Sequence, residues 1–196
     1  MVRVGFISEG KSDRAILISK NFKKLLKFKF KISFSEDDIR YGGGKSKIKT
    51  HFKPLVQSLY KNGVEYIFIL VDQDDKYEQR KNRKYKPIDC PMVVVDEIKK
   101  YRDNKHYLQD NQIFIIMTKE MEAWFLADNE LDFDCEGIAP EEILSPSDLV
   151  SKHLGISSHG KIAHKIKDKF SLVRAAKNAP SAKRFLNKLE QISQHQ

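Results

Sequence analysis

Residues 66–71, YIFILV, constrain this chain more than any other segment. The run has no charged side chain, is rich in β-branched and aromatic residues, and is bracketed by Asn62-Gly63 and Asp72. It is far shorter than the roughly 20 residues of a membrane helix. A half-exposed strand would alternate apolar and polar residues. The run therefore reads as a strand buried on both faces, as in the interior of a parallel sheet covered by helices. Residues 113–117, IFIIM, have the same character.

The rest of the chain fits around these two strands. Residues 2–8 alternate and read as a first strand. Ala15, Ile16, Ile18, Phe22, Leu25 and Leu26 form a helical stripe. Phe28, Phe30, Ile32 and Phe34 alternate, which predicts a second strand over residues 28–34. Helices are expected over residues 48–60, 93–101 and 120–127. The order β-α-β-α-β-α-β predicts an α/β fold, a Rossmann-like and mostly parallel sheet flanked by helices, with a C-terminal helical extension. The expected division is an α/β domain over residues 1–135 and a basic helical region over residues 136–196 packed on it.

Charge separates the same two parts. The 196 residues carry a net charge of +9. Residues 151–196 hold ten Lys or Arg against two acids, whereas residues 1–150 are nearly neutral. A basic tail suggests a polyanionic partner, most simply nucleic acid, unless it is an ordinary solvated surface. The absence of an apolar run of membrane length argues against a membrane partner. The opening MVRVGFISEG lacks a signal-peptide pattern, and Cys90 and Cys135 are far apart. Both features lead to the expectation of a reducing cytoplasm.

In open parallel sheets, chemistry gathers at the carboxyl ends of the strands. Three acid sets are expected on that edge. Glu9 ends the first strand, Asp72 and Asp74 end YIFILV, and Glu120 and Glu122 follow IFIIM. In an extended D-x-D, alternate carboxylates point the same way and can share one hard cation such as Mg²⁺. Each acid also has a plainer reading. Glu9 can cap the next helix, Asp72 or Asp74 can serve a turn, and Glu122 can pair with a buried Lys or steady Trp124. Trp124 itself reads as core, and Asp128 as a turn residue. Gly44-Lys45-Ser46 lacks the first glycine of a P-loop. The six histidines show no ligand spacing, so zinc is not expected.

Two blocks carry a family resemblance. FISEGKSD, residues 6–13, and ILVDQDD, residues 69–75, together resemble the Toprim domain of topoisomerases, primases and related nucleases. Its pattern is a strand-ending Glu-Gly followed by a strand-ending D-x-D. MEAWFLAD, residues 121–128, looks like the Glu-Ala-Trp block of a bacterial Toprim-like family of unknown function. Some members of that family sit beside ABC-type ATPases in phage-defence neighbourhoods. The resemblance implies a Mg²⁺- or Mn²⁺-dependent nuclease. Glu9, Asp72, Asp74 and Lys161 would be catalytic, and Glu9, Asp72, Asp74 and Glu122 would hold metal. Lys11, Lys45, Arg80, Lys81, Arg83 and Lys84 would meet nucleic acid. A partner ATPase is the implied association; a homodimer is a separate expectation that no motif supports. One alternative is a non-catalytic Toprim module that binds nucleic acid or a partner protein. Another is a phosphoryl-transfer domain with Asp72 as phosphoacceptor.

Overall fold

The computed structural model describes residues 1–73 and 91–194. Four strands form one sheet: β1 (Val4–Ser8), β2 (Ile39–Tyr41), β3 (Tyr66–Asp72) and β4 (Gln112–Met117). Their order is β2-β1-β3-β4, and every pairing is parallel. Ten α-helices are placed among the described residues. They are α1 (Lys11–Leu17), α2 (Lys20–Lys24), α3 (Lys45–Thr50), α4 (Phe52–Lys61) and α5 (Met92–Lys100). After β4 come α6 (Met121–Ala127), α7 (Pro146–Leu154), α8 (His159–Ile166), α9 (Leu172–Ala175) and α10 (Pro180–Gln194). The expected α/β architecture is the observed one.

Strand pleating sorts the apolar residues between two cores. Val4, Phe6, Phe68, Leu70, Ile115 and Met117 face one layer, built from α1, α2 and α6 to α10. Ile7, Ile67, Ile69, Val71 and Ile116 face the other, built from α3, α4 and α5. The topology accounts for this division. The chain steps from β1 to β2 in one direction, then returns past β1 to β3 and on to β4 in the other. Right-handed crossovers then require the intervening helices to change face. Both faces of β3 are consequently covered, and Ile67 to Val71 have no exposed surface.

The expected strand over residues 28–34 is not formed. Residues Leu25–Lys29 continue as a π-helical turn. Lys31, at φ +56°, ends it with a bond from the Ile32 N–H to the Leu26 carbonyl at 2.9 Å. That left-handed ending with a six-residue return bond is how many helices stop. Phe30 and Ile32 are buried, Phe28 is exposed, and a single parallel bridge joins Ser33 to Arg3. The alternating pattern thus arises from a helix end and its exit, not from a ladder. The true second strand is Ile-Arg-Tyr, too short to show a period. The helix expected over residues 48–60 is also divided, at His51. Pro54 accounts for the break, because it has no N–H to offer the Thr50 carbonyl.

The basic C-terminal region is part of the first core. Phe185 of α10 lies 5.4 Å from Phe68, 5.9 Å from Trp124 and 6.0 Å from Phe22, measured between ring centres. Trp124 donates its indole N–H to Ser181 Oγ at 2.6 Å. It is core, as its apolar surroundings suggested. No described helix is long and apolar enough to cross a membrane. Truncating Phe185→Ala should destabilise the whole protein by about 3–5 kcal/mol. Arg184→Ala, on the exposed side of α10, should change stability by less than about 0.5 kcal/mol. Urea unfolding of both variants checks the contrast. A small effect of Phe185→Ala would mean that α10 is not integral to the core.

Candidate functional site

β1 and β3 are neighbours whose connections leave in opposite directions, so the sheet's topological switch point lies between their carboxyl ends. Glu9 and Asp72 stand there. The Glu9 side chain joins the two strand ends and the next helix. Its Oε1 accepts the Lys45 N–H at 2.9 Å, and its Oε2 accepts the Asp72 N–H at 3.0 Å. The Glu9 carbonyl takes the Gly44 N–H at 3.0 Å, and the Ser8 carbonyl takes the Gly42 N–H at 2.8 Å. The glycine segment therefore wraps the end of β1.

This wrap requires glycine. A Cβ on Gly42 would lie 2.2 Å from Ile48 Cγ1, closer than any side chain can pack. Gly43 and Gly44 adopt φ of +73° and +105°, where residues with a Cβ are strained. The result brings the Lys45 ammonium to the Gln73 carbonyl at 3.2 Å. The ammonium is thus held at the residue that follows Asp72. Each Glu9 oxygen accepts a backbone N–H. Glu9 and Asp72 both bring carboxylate oxygens to this edge, the donor type that Mg²⁺ takes.

A second acidic group forms where α1, α6 and α8 meet. Glu122, in the first turn of α6, is 2% exposed. Ser12 Oγ, on α1, donates to its Oε1 at 3.4 Å, and His159 Nδ1, at the start of α8, lies 3.6 Å from the same oxygen. Glu120 is close by, with its own Oε1 accepting the Ser147 N–H at 2.7 Å. Candidate ligand atoms of Glu120, Glu122 and His159 lie within 4.8 Å of one another. Lys119, at φ +64°, makes the turn that carries the chain from β4 into these acids. Asp13 is also buried and accepts the Gly10 N–H at 2.8 Å.

Burial dominates the electrostatics here. It pushes the Glu122 carboxyl up to about 8, with the neighbouring Glu120 and Asp13 charges adding to the effect. Burial also raises Asp13, against the backbone N–H groups that favour its charged form.

The residues expected from the sequence divide clearly. Glu9, Asp72 and Lys45 come together at the switch point. Glu122 lies beside Ser12, three residues beyond Glu9 in the chain. Lys161 is exposed on α8, two residues past His159. Lys11 is exposed at the start of α1 and faces Gly160 of α8. Asp74, Arg80, Lys81, Arg83 and Lys84 lie outside the described residues. Asp128 is structural: buried, it pairs with Arg174 and accepts the Ser171 N–H at 2.7 Å. His159 carried no signal in the sequence, since only the packing of α8 on α1 brings it to Glu122. The C-terminal basic residues Lys177, Lys183, Arg184 and Lys188 line a groove of about 630 Å³ beside α10.

These features define an α/β protein of the Rossmann-like parallel-sheet class, with carboxylates at its switch point. The chain belongs to the family DUF4276, described as a domain of unknown function, whose profile matches residues 8–190. No curated protein and no solved structure matches it.

The buried Glu122 carboxyl sets a pH dependence. Its folded-state pKa lies above its ordinary value of 4.5, so the folded state favours the proton. The associated stability is complete below pH 4.5 and is lost as pH rises through about 8. By linkage about 3 kcal/mol of it is already lost at pH 7. In chelator, Glu122→Gln should therefore unfold at higher urea than wild type at pH 8 and at nearly the same urea at pH 4.5. Parallel pH profiles for the two proteins would show that Glu122 is not held protonated.

Proposed function

We propose that this protein is a metal-dependent phosphodiesterase acting on nucleic acid. The observation that carries the reading is the meeting of Glu9 and Asp72 at the ends of adjacent parallel strands at the switch point, with the Lys45 ammonium on the carbonyl of the next residue, Gln73. The Toprim resemblance of residues 6–13 and 69–75 supports it independently. So does the concentration of positive charge in residues 151–196, which suits a phosphate backbone.

Glu9 and Asp72 would hold Mg²⁺ or Mn²⁺, with Asp74 as a further donor in the D-x-D. A metal bound there supplies a polarised phosphoryl oxygen and an activated water. The protein's own groups do the rest. The backbone N–H groups of Lys45 and Asp72 fix the Glu9 carboxylate, so that it need not reorganise when a phosphate arrives. The Lys45 ammonium is placed to take charge on a non-bridging oxygen. Lys161, exposed on α8, is available to a phosphate farther along the strand. A partner ABC-type ATPase rests on the family resemblance alone.

One observation favours a second reading, a non-catalytic binding module. Both Glu9 oxygens already serve backbone N–H groups, so Glu9 has a full structural role without any metal.

Cleavage assays on linear, circular and single-stranded DNA and on RNA, with Mg²⁺, Mn²⁺ or chelator, separate the two. Metal-dependent cleavage should fall at least about 100-fold in Asp72→Asn and Lys45→Ala, as removing a single charge-stabilising group commonly does. Binding of wild type and variants alike, with no cleavage by any of them, would establish the binding module instead.

A further inference from the structure

The group around Glu122 has features that the switch-point carboxylates do not explain. Glu122 and Asp13 are almost wholly buried, and Glu120 stands beside them. Among the described residues, no Lys or Arg pairs with Glu122 or Asp13. Fully buried acids are rare unless a positive charge accompanies them. Among the described residues, the basic side chain in reach of Glu122 is the imidazole of His159.

The spacing is that of ligands, not of a hydrogen-bonded pair. At 3.6 Å, His159 Nδ1 and Glu122 Oε1 are too far apart for a good hydrogen bond. Two ligand atoms about 2.1 Å from one tetrahedral ion are separated by about 3.4 Å. Glu120, Glu122 and His159 all fall within 4.8 Å, so a small movement of the exposed imidazole closes the set. Three different elements hold the donors. The Ser147 N–H fixes Glu120, Ser12 of α1 fixes Glu122, and α8 presents His159.

A second, independent feature lies in the same layer of the fold. The Ser8 hydroxyl has no exposed surface and no hydrogen-bond partner among the described residues. Ser8 lies one pleat beyond Phe6, so its side chain faces the layer of α1, α6 and α8 and not that of α3 to α5. It is at the carboxyl end of β1, the end at which α6 begins. A buried hydroxyl left without a partner costs about 1–3 kcal/mol, which an ion-bound water in that layer would offset.

From this we infer that Glu120, Glu122 and His159 form a divalent-cation site separate from the Glu9–Asp72 pair. An imidazole in the donor set favours Mn²⁺ and Zn²⁺ over Mg²⁺, which prefers an all-oxygen shell. The site does not depend on the nuclease reading, because it requires no turnover. If that reading holds, the site gives the enzyme a Mn²⁺-selective second position.

Tag-free protein, stripped with chelator and reloaded with Mn²⁺, provides the test. Pulsed electron paramagnetic resonance detects nitrogen bound directly to the ion. Nitrogen coupling is expected in wild type and in Asp72→Asn, and should be absent in His159→Ala. His159 is a safe position to change, since its side chain is 57% exposed. Calorimetric Mn²⁺ titration of the Asp72→Asn protein should weaken at least tenfold on adding Glu122→Gln. In the same background Mg²⁺ should bind at least tenfold more weakly than Mn²⁺. Nitrogen coupling that survives His159→Ala, or no Mn²⁺ binding to Asp72→Asn, would overturn the inference. Neither result bears on whether the protein cleaves nucleic acid, so the two proposals fail separately.

Discussion

The Glu9 carboxylate is the interaction on which the arrangement turns. One oxygen holds the end of β3 through the Asp72 N–H, and the other holds the start of α3 through the Lys45 N–H. Three chain segments distant in sequence are fixed by a single side chain. A charged acceptor makes such bonds stronger than a neutral one. The glycine segment that delivers Lys45 can follow this path only because residues 42–44 have no side chains to clash or strain. Position, charge and backbone geometry at the switch point are thus one problem with one solution.

The second acidic group depends on a different part of the fold. α8 packs against α1, and this contact alone carries His159 to Glu122 and Ser12. α1 begins two residues before Asp13 and directly after Glu9-Gly10, so the two groups share an element. Movement of α8 would act on both the buried acid and the first turn of α1. The C-terminal helices therefore belong to the chemistry of the sheet edge as well as to its core.

The sequence revealed the parts of the fold governed by local pattern. YIFILV and IFIIM are buried strands because nothing in them tolerates water, and the acids that end them are at the carboxyl edge because a parallel sheet puts them there. Residues 28–34 misled because an apolar period of two also results from a π-helical turn followed by an extended exit. Ile39–Tyr41 is too short to carry any period, although it pairs in full with β1. At the site, Glu9 and Asp72 were legible as strand-ending acids, and Lys45 as part of a glycine-rich turn. His159 was not legible, because 37 residues separate it from Glu122 and no spacing rule relates them. The absence of helical spacing among histidines argues only against a site built on one helix.

The charge distribution sets a final constraint on any reading of the site. The chain is strongly basic, yet its sheet edge gathers Glu9, Asp72, Glu120, Glu122 and Asp13. Burial favours the protonated, uncharged forms of Glu122 and Asp13, so in the absence of an ion this edge is less negative than its number of acids suggests. Under the proposed reading, a bound divalent cation displaces these protons and supplies the positive charge that a phosphate meets there. Under that reading ion binding comes before productive contact with a phosphate backbone, and the basic residues beside α10 add an attraction that is independent of base sequence.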